Sequence, residues 1–359
     1  MILSFFPAVF YPAGASPYGI ATADFNGNGI KDLAVTDISD GDVAILLGNN
    51  DRTFQAAAFY PVGINPTAVT IADFNGDGKK DLAVADSNGD DIAVLLGNGD
   101  GTFQTAMGFA AGSNPVRIVS ADFNGDGIID LAVADLTTDS VGVLLGNGDG
   151  TFQAVTVFPA GSYPNGLAAA DFSGDGKLDL AVADSGSGNI AVLLGNGDGT
   201  FQSPVLYPVG TSPNDIAVAD FNGDGKIDLA VTNYDSSNVA VLLGNGTGGF
   251  QPATYIPVGL YPEGIVAVDF NGDGKIDLAV ANGGSNNIAT LLGNGDGTFQ
   301  DAQYFAAGNY PSGIVAADFN GDGRIDLAVA NTYSNNVAVL IQPRRISEIC
   351  NLSIVQDIL

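Results

Sequence analysis

The fold of this chain is decided by the nine-residue stretch DFNGDGKKD, residues 73–81. Close copies begin at six other aspartates, so that seven copies start at a constant interval of 49 residues: Asp24, Asp122, Asp171, Asp220, Asp269 and Asp318. A fixed period of this size, without an insertion or deletion, is typical of supersecondary units that stack side by side. We therefore expect one modular domain, although 359 residues would otherwise suggest two.

Each repeat contains four short β-prone segments. In the second unit these are residues 54–60, 68–72, 81–85 and 92–96, and Gly, Pro, Asn and Asp interrupt the chain between them. No stretch long enough for a stable helix escapes this punctuation. Four antiparallel strands repeated seven times predict an all-β, seven-bladed β-propeller, in which the small residues before each acidic loop lie near the central axis.

The two ends of the chain predict how the ring closes. Residues 5–14 match residues 54–63, so the chain begins with the equivalent of a fourth strand, whereas the last unit, 314–341, has only three. The N-terminal strand should therefore complete the last blade and remove two open sheet edges. We interpret the apolar opening 1–6 as part of this strand, because it lacks the positive region of a signal peptide.

We accordingly assign residues 1–341 to a single propeller domain and 342–359 to a tail that belongs to no repeat. The only cysteine, Cys350, lies in this tail, so no internal disulfide can form. No apolar run reaches the roughly 18 residues that a membrane span needs. We expect a monomer that is secreted to the cell surface or the extracellular space.

The charge balance is strongly acidic, with 40 Asp and Glu against 11 Lys and Arg and a net charge of −29. Such a chain lacks the basic stripes that phosphate backbones require, which excludes nucleic acid as a partner. Half of the carboxylates fall inside the seven loops. Without cations, carboxylates clustered in this way would repel one another and oppose compaction.

The chemistry of the loop indicates a hard cation. Oxygen-bearing side chains recur at loop positions 1, 3, 5 and 9, and glycine at position 6 permits a sharp reversal of the chain. A metal-free Asn-Gly or Asp-Gly hairpin needs only two such residues and not a carboxylate at position 9 as well. The pattern therefore predicts about seven bound Ca²⁺ ions, one in each blade.

These loops resemble those of the FG-GAP/VCBS repeat family, which includes the integrin α-subunit propeller. In that family the Asp-x-Asn-x-Asp-Gly-x-x-Asp loop between the first two strands of a blade binds calcium, and the resemblance covers residues 5–341. It implies side-chain ligands at positions 1, 3, 5 and 9 and a backbone carbonyl at position 7. Loop by loop, these positions are Asp24, Asn26, Asn28, Ile30, Asp32; Asp73, Asn75, Asp77, Lys79, Asp81; Asp122, Asn124, Asp126, Ile128, Asp130; Asp171, Ser173, Asp175, Lys177, Asp179; Asp220, Asn222, Asp224, Lys226, Asp228; Asp269, Asn271, Asp273, Lys275, Asp277; and Asp318, Asn320, Asp322, Arg324, Asp326.

Two loops depart from the pattern. Asn28 replaces a carboxylate at position 5 of the first loop, and Ser173 replaces asparagine at position 3 of the fourth. Because ligand charge tunes calcium affinity, the first loop should bind most weakly. The glycine-rich loops such as 97–101 have too few carboxylates for a metal and are interpreted as hairpin turns, and Phe74 and its equivalents as packing between blades.

Function is less constrained than fold. The loops on the face opposite the metal loops vary most between repeats, which favours a protein or glycan ligand there, although neutral drift would produce the same variation. With no histidine and one tail cysteine, neither a His-based triad nor a Cys–His pair can form, and we expect no enzymatic activity; paired aspartates or calcium-assisted lyase chemistry stay open.

The leading hypothesis is a calcium-binding extracellular module for adhesion or ligand binding. The alternatives are a carbohydrate-binding or polysaccharide-processing module, for which Tyr163, Tyr261 and Tyr310 can stack on sugar rings, and a repeat scaffold without activity of its own.

Overall fold

A computed structural model describes residues 3–49 and 51–344, which form 28 strands in seven four-stranded antiparallel sheets. The first and innermost strands of blades one to seven are β2 (Pro17–Ala23), β6 (Pro66–Ala72), β10 (Pro115–Ala121), β14 (Pro164–Ala170), β18 (Pro213–Ala219), β22 (Pro262–Val268) and β26 (Pro311–Ala317). The second strands are β3 (Asp32–Asp37), β7 (Asp81–Asp86), β11 (Asp130–Asp135), β15 (Asp179–Asp184), β19 (Asp228–Asn233), β23 (Asp277–Asn282) and β27 (Asp326–Asn331). The third strands are β4 (Asp42–Leu46), β8 (Asp91–Leu95), β12 (Ser140–Leu144), β16 (Asn189–Leu193), β20 (Asn238–Leu242), β24 (Asn287–Leu291) and β28 (Asn336–Leu340). The outer strands are β5 (Ala58–Pro61), β9 (Met107–Ala110), β13 (Thr156–Pro159), β17 (Val205–Pro208), β21 (Thr254–Pro257), β25 (Gln303–Ala306) and β1 (Val9–Pro12).

This arrangement is the predicted seven-bladed propeller. Within the described ranges the only helical element is a single 3-10 turn, Gly283–Ser285. No helix in the described part of the chain is long and apolar enough to cross a membrane. The part of the predicted tail beyond residue 344, including Cys350, lies outside the described residues.

The ring closes as predicted. Strand β1 pairs with β28, with Val9 opposite Val339 and Pro12 opposite Asn336, so the last blade has the order β26-β27-β28-β1. This closure joins the two ends of the chain within one sheet.

The predicted extent of the outer strand was wrong. Residues 3–8 are not strand, residues 1–2 lie outside the described part, and in the second unit the strand covers Ala58–Pro61 instead of 54–60. The reason is a change of register: Gly48 bridges Phe54, but Ile45 pairs with Ala58, so one extra residue sits between the two pairs. Such a bulge interrupts the ladder.

The core lies between blades. The phenylalanine at loop position 2 is buried in every blade; Phe25, for example, meets Phe103 of the next blade with ring centroids 5.4 Å apart and an interplanar angle of 76°. Such edge-to-face pairs are favoured beyond the area they bury. The glycine-rich loops fasten the same contact, since the Gly101 N–H donates to the carbonyl of Phe25 at 3.1 Å. The packing prediction is confirmed, and the glycine-rich loops form hairpin turns, as where Gly97 bridges Phe103. That these turns bind no metal stays a prediction.

The inner strands approach one another closely around the axis. A Cβ atom on Gly166 would lie 2.5 Å from the carbonyl oxygen of Asn214 in the neighbouring blade, and one on Gly313 would lie 2.5 Å from that of Tyr18. Only glycine fits such an approach without displacing the neighbouring backbone. Side chains at the start of the inner strands therefore project where the blades leave room, around the mouth of the central channel.

Candidate functional site

The acidic loops fold around the carboxylate at position 1. In the second loop, Asp73 Oδ1 accepts from the N–H groups of Gly76 (2.8 Å) and Asp77 (3.1 Å), and Oδ2 accepts from Gly78 (2.7 Å). Gly78 has φ = 83°, a conformation that glycine adopts without strain. The bond from position 6 to the position-1 carboxylate is present in all seven loops.

Positions 3, 5 and 7 continue the same turn. Asn75 Oδ1 accepts from Asp77 N–H at 2.9 Å, and Asp77 Oδ1 accepts from Lys79 N–H at 3.0 Å. The Lys79 ammonium lies 3.1 Å from Asp77 Oδ2. The pKa of Asp77 is lowered, chiefly by the backbone hydrogen bond from Lys79. This exposed carboxylate is therefore ionised at neutral pH and contributes a negative charge to the loop.

Position 9 is placed differently. Asp81 is fully buried, and its two oxygens accept from Phe74 N–H (2.9 Å) and Gly97 N–H (2.7 Å). The bond from the phenylalanine N–H recurs in every blade, and a glycine N–H supplies the second bond in the first six, so in those six blades this carboxylate fastens the acidic loop to the glycine-rich loop. Burial raises the pKa of these aspartates, to about 6 at Asp277 and about 7 at Asp326.

The structure thus brings positions 1, 3 and 5 into one turn and sets position 9 beneath it. Across residues 3–49 and 51–344, no group of three or more acidic, His or Cys side chains is close enough to form a metal cluster. The candidate ligands of each loop are carboxylate, amide and carbonyl oxygens, with the Ser173 hydroxyl replacing an amide in the fourth loop, and oxygen ligands of these kinds suit Ca²⁺. The calcium assignment stays a prediction, with the loop positions given above as its ligands.

The seventh loop differs from the others. Its Asp322 side chain is fully buried, with Arg344 Nε at 3.7 Å and Arg52 Nη2 at 4.0 Å from Oδ2. Gln342 donates its N–H to Asp326 Oδ1 at 2.8 Å, which is the role that a glycine plays in the other six blades. Gln342, which the sequence assigned to the tail, therefore continues the repeat structurally. The guanidinium groups of Arg52 and Arg344 already lie beside this loop.

On the opposite face, the residues that follow each inner-strand proline form the channel mouth. One ring contains Tyr18, Thr67, Val116, Asn165, Asn214, Glu263 and Ser312, and the ring one residue further along contains Gly19, Ala68, Arg117, Gly166, Asp215, Gly264 and Gly313. Three of these positions carry charges. The sevenfold repeat is therefore broken at the mouth by residues that bear chemistry.

Glu263 is the centre of the mouth. It is 5% exposed, and its carboxylate accepts from Asn214 Nδ2 (2.6 Å), Tyr310 OH (3.0 Å) and Tyr18 OH (3.3 Å). Asn165 donates in turn to Asn214, and Tyr234 OH lies 2.8 Å from Tyr310 OH. Desolvation raises the pKa of Glu263 against the opposing effect of these donors and of Arg117.

The Arg117 side chain extends from its own blade towards residues of other blades at the channel mouth. Its Nε is 3.9 Å from Asp215 Oδ1, two blades away, and its guanidinium carbon is 5.8 Å from the centroid of the Tyr18 ring. Asp215 is held by a bond from Ile265 N–H at 3.2 Å. Arginine contributes both an ion pair and a cation–π contact here, so its charge is balanced within the protein.

Tyrosines surround this site. Tyr234 and Tyr261 are stacked at 4.7 Å with an interplanar angle of 16°, and Tyr310 and Tyr333 lie 4.6 Å apart. Tyr261 and Tyr333 remain 44% and 66% exposed. Flat apolar surfaces therefore flank the polar mouth.

The sequence pointed to this face but not to these residues. Neither Glu263 nor Asp215 was among the residues that the sequence indicated. A signal was available: Arg117 and Asp215 occupy a repeat position that is glycine or alanine in the other five blades.

Comparison with known proteins supports the repeat assignment. The FG-GAP-like repeat family matches six overlapping segments, residues 24–84, 73–133, 122–182, 171–231, 220–280 and 269–329. Comparison with curated protein sequences finds no significant match.

Solved structures share the fold. The BBS1N chain of a complex with ARL6DN is similar with a TM-score of 0.69 at 17% identity, covering 96% of this chain and 98% of that one. Virginiamycin B lyase from Staphylococcus aureus gives 0.63 at 16% identity, covering 91% and 95%. A lectin from Agrocybe aegerita that recognises non-reducing terminal N-acetylglucosamine gives 0.57 at 21% identity, covering 88% and 86%. At these identities the likeness concerns the fold alone.

The matched repeats extend from residue 24 to residue 329, most of the chain, and each of the six runs from the acidic loop of one blade into the second strand of the next, so that together they include parts of all seven blades. The chain therefore belongs to the FG-GAP-like repeat family.

Proposed function

We propose that this protein is a calcium-binding, integrin-like propeller that works outside the cell as an adhesion or ligand-binding module, without catalysis of its own. The acidic loops hold the calcium ions on one face, and the ligand binds at the channel mouth on the other. The observation that carries this proposal is the contrast between the faces. All seven loops share the bond from position 6 to the position-1 carboxylate, whereas the mouth carries single, unrepeated charges at Arg117, Asp215 and Glu263.

Calcium supports the fold in this proposal. Ions that bind only the native state add to its stability, and they offset the repulsion among carboxylates in a chain of net charge −29. A protein ligand is consistent with the complex of BBS1N with ARL6DN, which contains a chain of this fold.

A metal analysis tests the calcium half of the proposal. Protein equilibrated with millimolar calcium should retain about seven ions per chain, and fewer than about five would contradict the ligand assignment. Asp77→Asn should weaken one site in titration calorimetry. Asp100→Asn is the matched control, because Asp100 lies in the neighbouring glycine-rich loop and, among the residues that the structure describes, accepts hydrogen bonds from Thr102 alone.

Pull-down tests the ligand half. Calcium-loaded protein should capture a partner from a cell-surface extract, and Asp215→Asn should reduce capture while calcium stoichiometry stays unchanged. Equal capture by both forms would place the ligand away from the mouth.

Carbohydrate binding is the second candidate. The stacked pairs Tyr234–Tyr261 and Tyr310–Tyr333 support it, since exposed aromatic faces beside amides and carboxylates suit sugar rings. The lectin of similar fold recognises a terminal sugar. A glycan array in calcium separates this candidate from a protein ligand.

A further inference from the structure

A hollow of about 260 Å³ opens beside Glu263, between the inner strands of blades four to six. Its walls are Asn165, Ser185, Ser212, Asn214 and Tyr234, together with Tyr18, Pro213 and Glu263 itself. The hollow is a defined part of the channel mouth. What it binds is decided by the hydrogen-bonding state of its walls.

The charged groups at the mouth, one cation and two carboxylates, all have partners within the protein. Both oxygens of the Glu263 carboxylate accept hydrogen bonds, from Tyr310 on one side and from Tyr18 and Asn214 on the other. Arg117 faces Asp215 and the Tyr18 ring. A ligand that carries a net charge would have to displace these partners. These existing contacts of the charged side chains therefore favour a neutral ligand.

The hydroxyl hydrogens of the walls are also engaged. Ser185 donates to the Tyr163 carbonyl at 2.7 Å, and Ser212 donates to Asp235 Oδ2 at 2.5 Å. Because Tyr310 donates to Glu263, the 2.8 Å contact between Tyr234 and Tyr310 is donated by Tyr234. These three hydroxyls therefore present lone pairs to the hollow.

The two wall amides also donate hydrogen bonds within the protein. Asn165 Nδ2 donates to Asn214 Oδ1, and Asn214 Nδ2 donates to Glu263. Apart from Glu263, whose oxygens already accept three hydrogen bonds, the walls are uncharged and offer several acceptors, which suits a ligand that brings hydroxyl donors. An anion such as phosphate or a carboxylate offers mainly acceptor oxygens, which cannot form hydrogen bonds with the acceptors of the walls.

An apolar platform borders the hollow. Tyr234, one of its walls, stacks on Tyr261, which is 44% exposed. A pyranose ring offers hydroxyl donors at its edge and an apolar C–H face that packs on an aromatic ring. We propose that this hollow is a saccharide subsite that takes one neutral pyranose unit, with its hydroxyls toward Asn165, Ser212 and Tyr234 and its C–H face toward Tyr261. The inference rests on the proposed function only in placing ligand binding at the channel mouth.

Saturation-transfer NMR and calorimetry with methyl pyranosides test the proposal in constant calcium. The panel contains α- and β-methyl glycosides of glucose, galactose, mannose and N-acetylglucosamine, and tetramethylammonium and acetate serve as charged probes. At least one glycoside should bind saturably, and the charged probes should not compete. Short oligosaccharides then show whether a chain end binds more tightly than the free unit.

Two exposed tyrosines provide a matched pair of variants. Tyr261→Ala should weaken glycoside binding about tenfold, because Tyr261 stacks on the wall residue Tyr234. Tyr333→Ala should leave binding unchanged, because Tyr333 stacks on Tyr310, which is not one of the walls. Asn165→Ala should weaken binding about fivefold, and circular dichroism confirms that each variant is folded.

The inference is overturned if no glycoside binds, if the two tyrosine variants behave alike, or if tetramethylammonium competes with the glycoside. Its failure is distinguishable from failure of the proposed function. A captured protein whose binding depends on Asp215, in a calcium-loaded chain that binds no sugar, would leave the proposed function in place and remove the saccharide subsite alone.

Discussion

Asp135, at the end of strand β11, should destabilise the native state at neutral pH. It is fully buried, and neither of its carboxylate oxygens has a hydrogen-bond donor. Its equivalent Asp86 accepts from the N–H groups of Ile64 and Asn65, whereas in blade three the matching donor, Asn114 N–H, is directed to Asp90 at 2.9 Å. Asp135 is therefore a buried acid that has lost its partner.

Asparagine is the natural replacement, because blades five to seven carry Asn233, Asn282 and Asn331 at this position. Asn233 Nδ2 donates to the Val209 carbonyl at 2.6 Å, and Ala111 supplies the equivalent carbonyl in blade three. Asp135→Asn removes the charge and gains a donor.

The magnitude follows from the pKa. Desolvation, and then the charge of Asp90, raise the pKa of Asp135 from 3.8 to about 7. A raised pKa in the folded state means that stability present below pH 3.8 is lost as the pH rises through about 7. At about 1.4 kcal/mol per pKa unit, Asp135→Asn should stabilise the protein by about 2 to 4 kcal/mol at pH 8, and by about 3 kcal/mol less at pH 5.

Chemical denaturation of both proteins at the two pH values, in constant calcium, measures this difference. Asp86→Asn is the control, because that carboxylate has its backbone donors and its replacement should not stabilise. If Asp135→Asn gave no gain at pH 8, or the same gain at pH 5, the account of a buried, unpartnered carboxylate would be refuted.

Three further predictions concern the metal loops and the mouth. Excess chelator should lower the melting temperature by well over a few degrees, since each ion at a hundred times its dissociation constant contributes about 2.7 kcal/mol; a smaller shift in calorimetry would mean that the ions do not support the fold. In a calcium titration the loop of Asn28 should lose its ion first and Asn28→Asp should tighten it, whereas equal occupancy of all loops would show that carboxylate count does not set the order. Burial raises the pKa of Glu263, which faces Arg117, Tyr18 and Tyr310, above its ordinary value of 4.5. Wild type should therefore lose stability relative to Glu263→Gln as the pH rises above 4.5, and parallel curves of unfolding free energy against pH would contradict this.

The fold was predictable because every repeat supplies the same local signals in the same order. The period gave the number of blades, and the match of residues 5–14 to 54–63 gave the closing strand. The bounds of the outer strand were not predictable, because the bulge before Ala58 depends on how Gly48 and Phe54 pair across the hairpin.

The candidate sites were predictable only where they are local. The acidic loop is built from nine consecutive residues, so its turn follows from the sequence, but the bond that Asp81 accepts from the Gly97 N–H spans two loops and gives the carboxylate a structural role. The mouth joins residues as distant as Tyr18 and Glu263, which are 245 positions apart. The repeat pattern indicates only the residues that the blades share, whereas this site is formed by residues that occur in single blades.

Closure of the ring by β1 has a consequence for how these molecules find their native partners. The strand Val9–Pro12 pairs with residues 336–339 at the far end of the chain, and the same pairing is available on the last blade of a second molecule. Covalent tethering favours the intramolecular partner by its effective concentration alone, since no contact distinguishes the two. Refolding at high protein concentration should therefore produce strand-exchanged oligomers, in which each molecule completes the ring of the next.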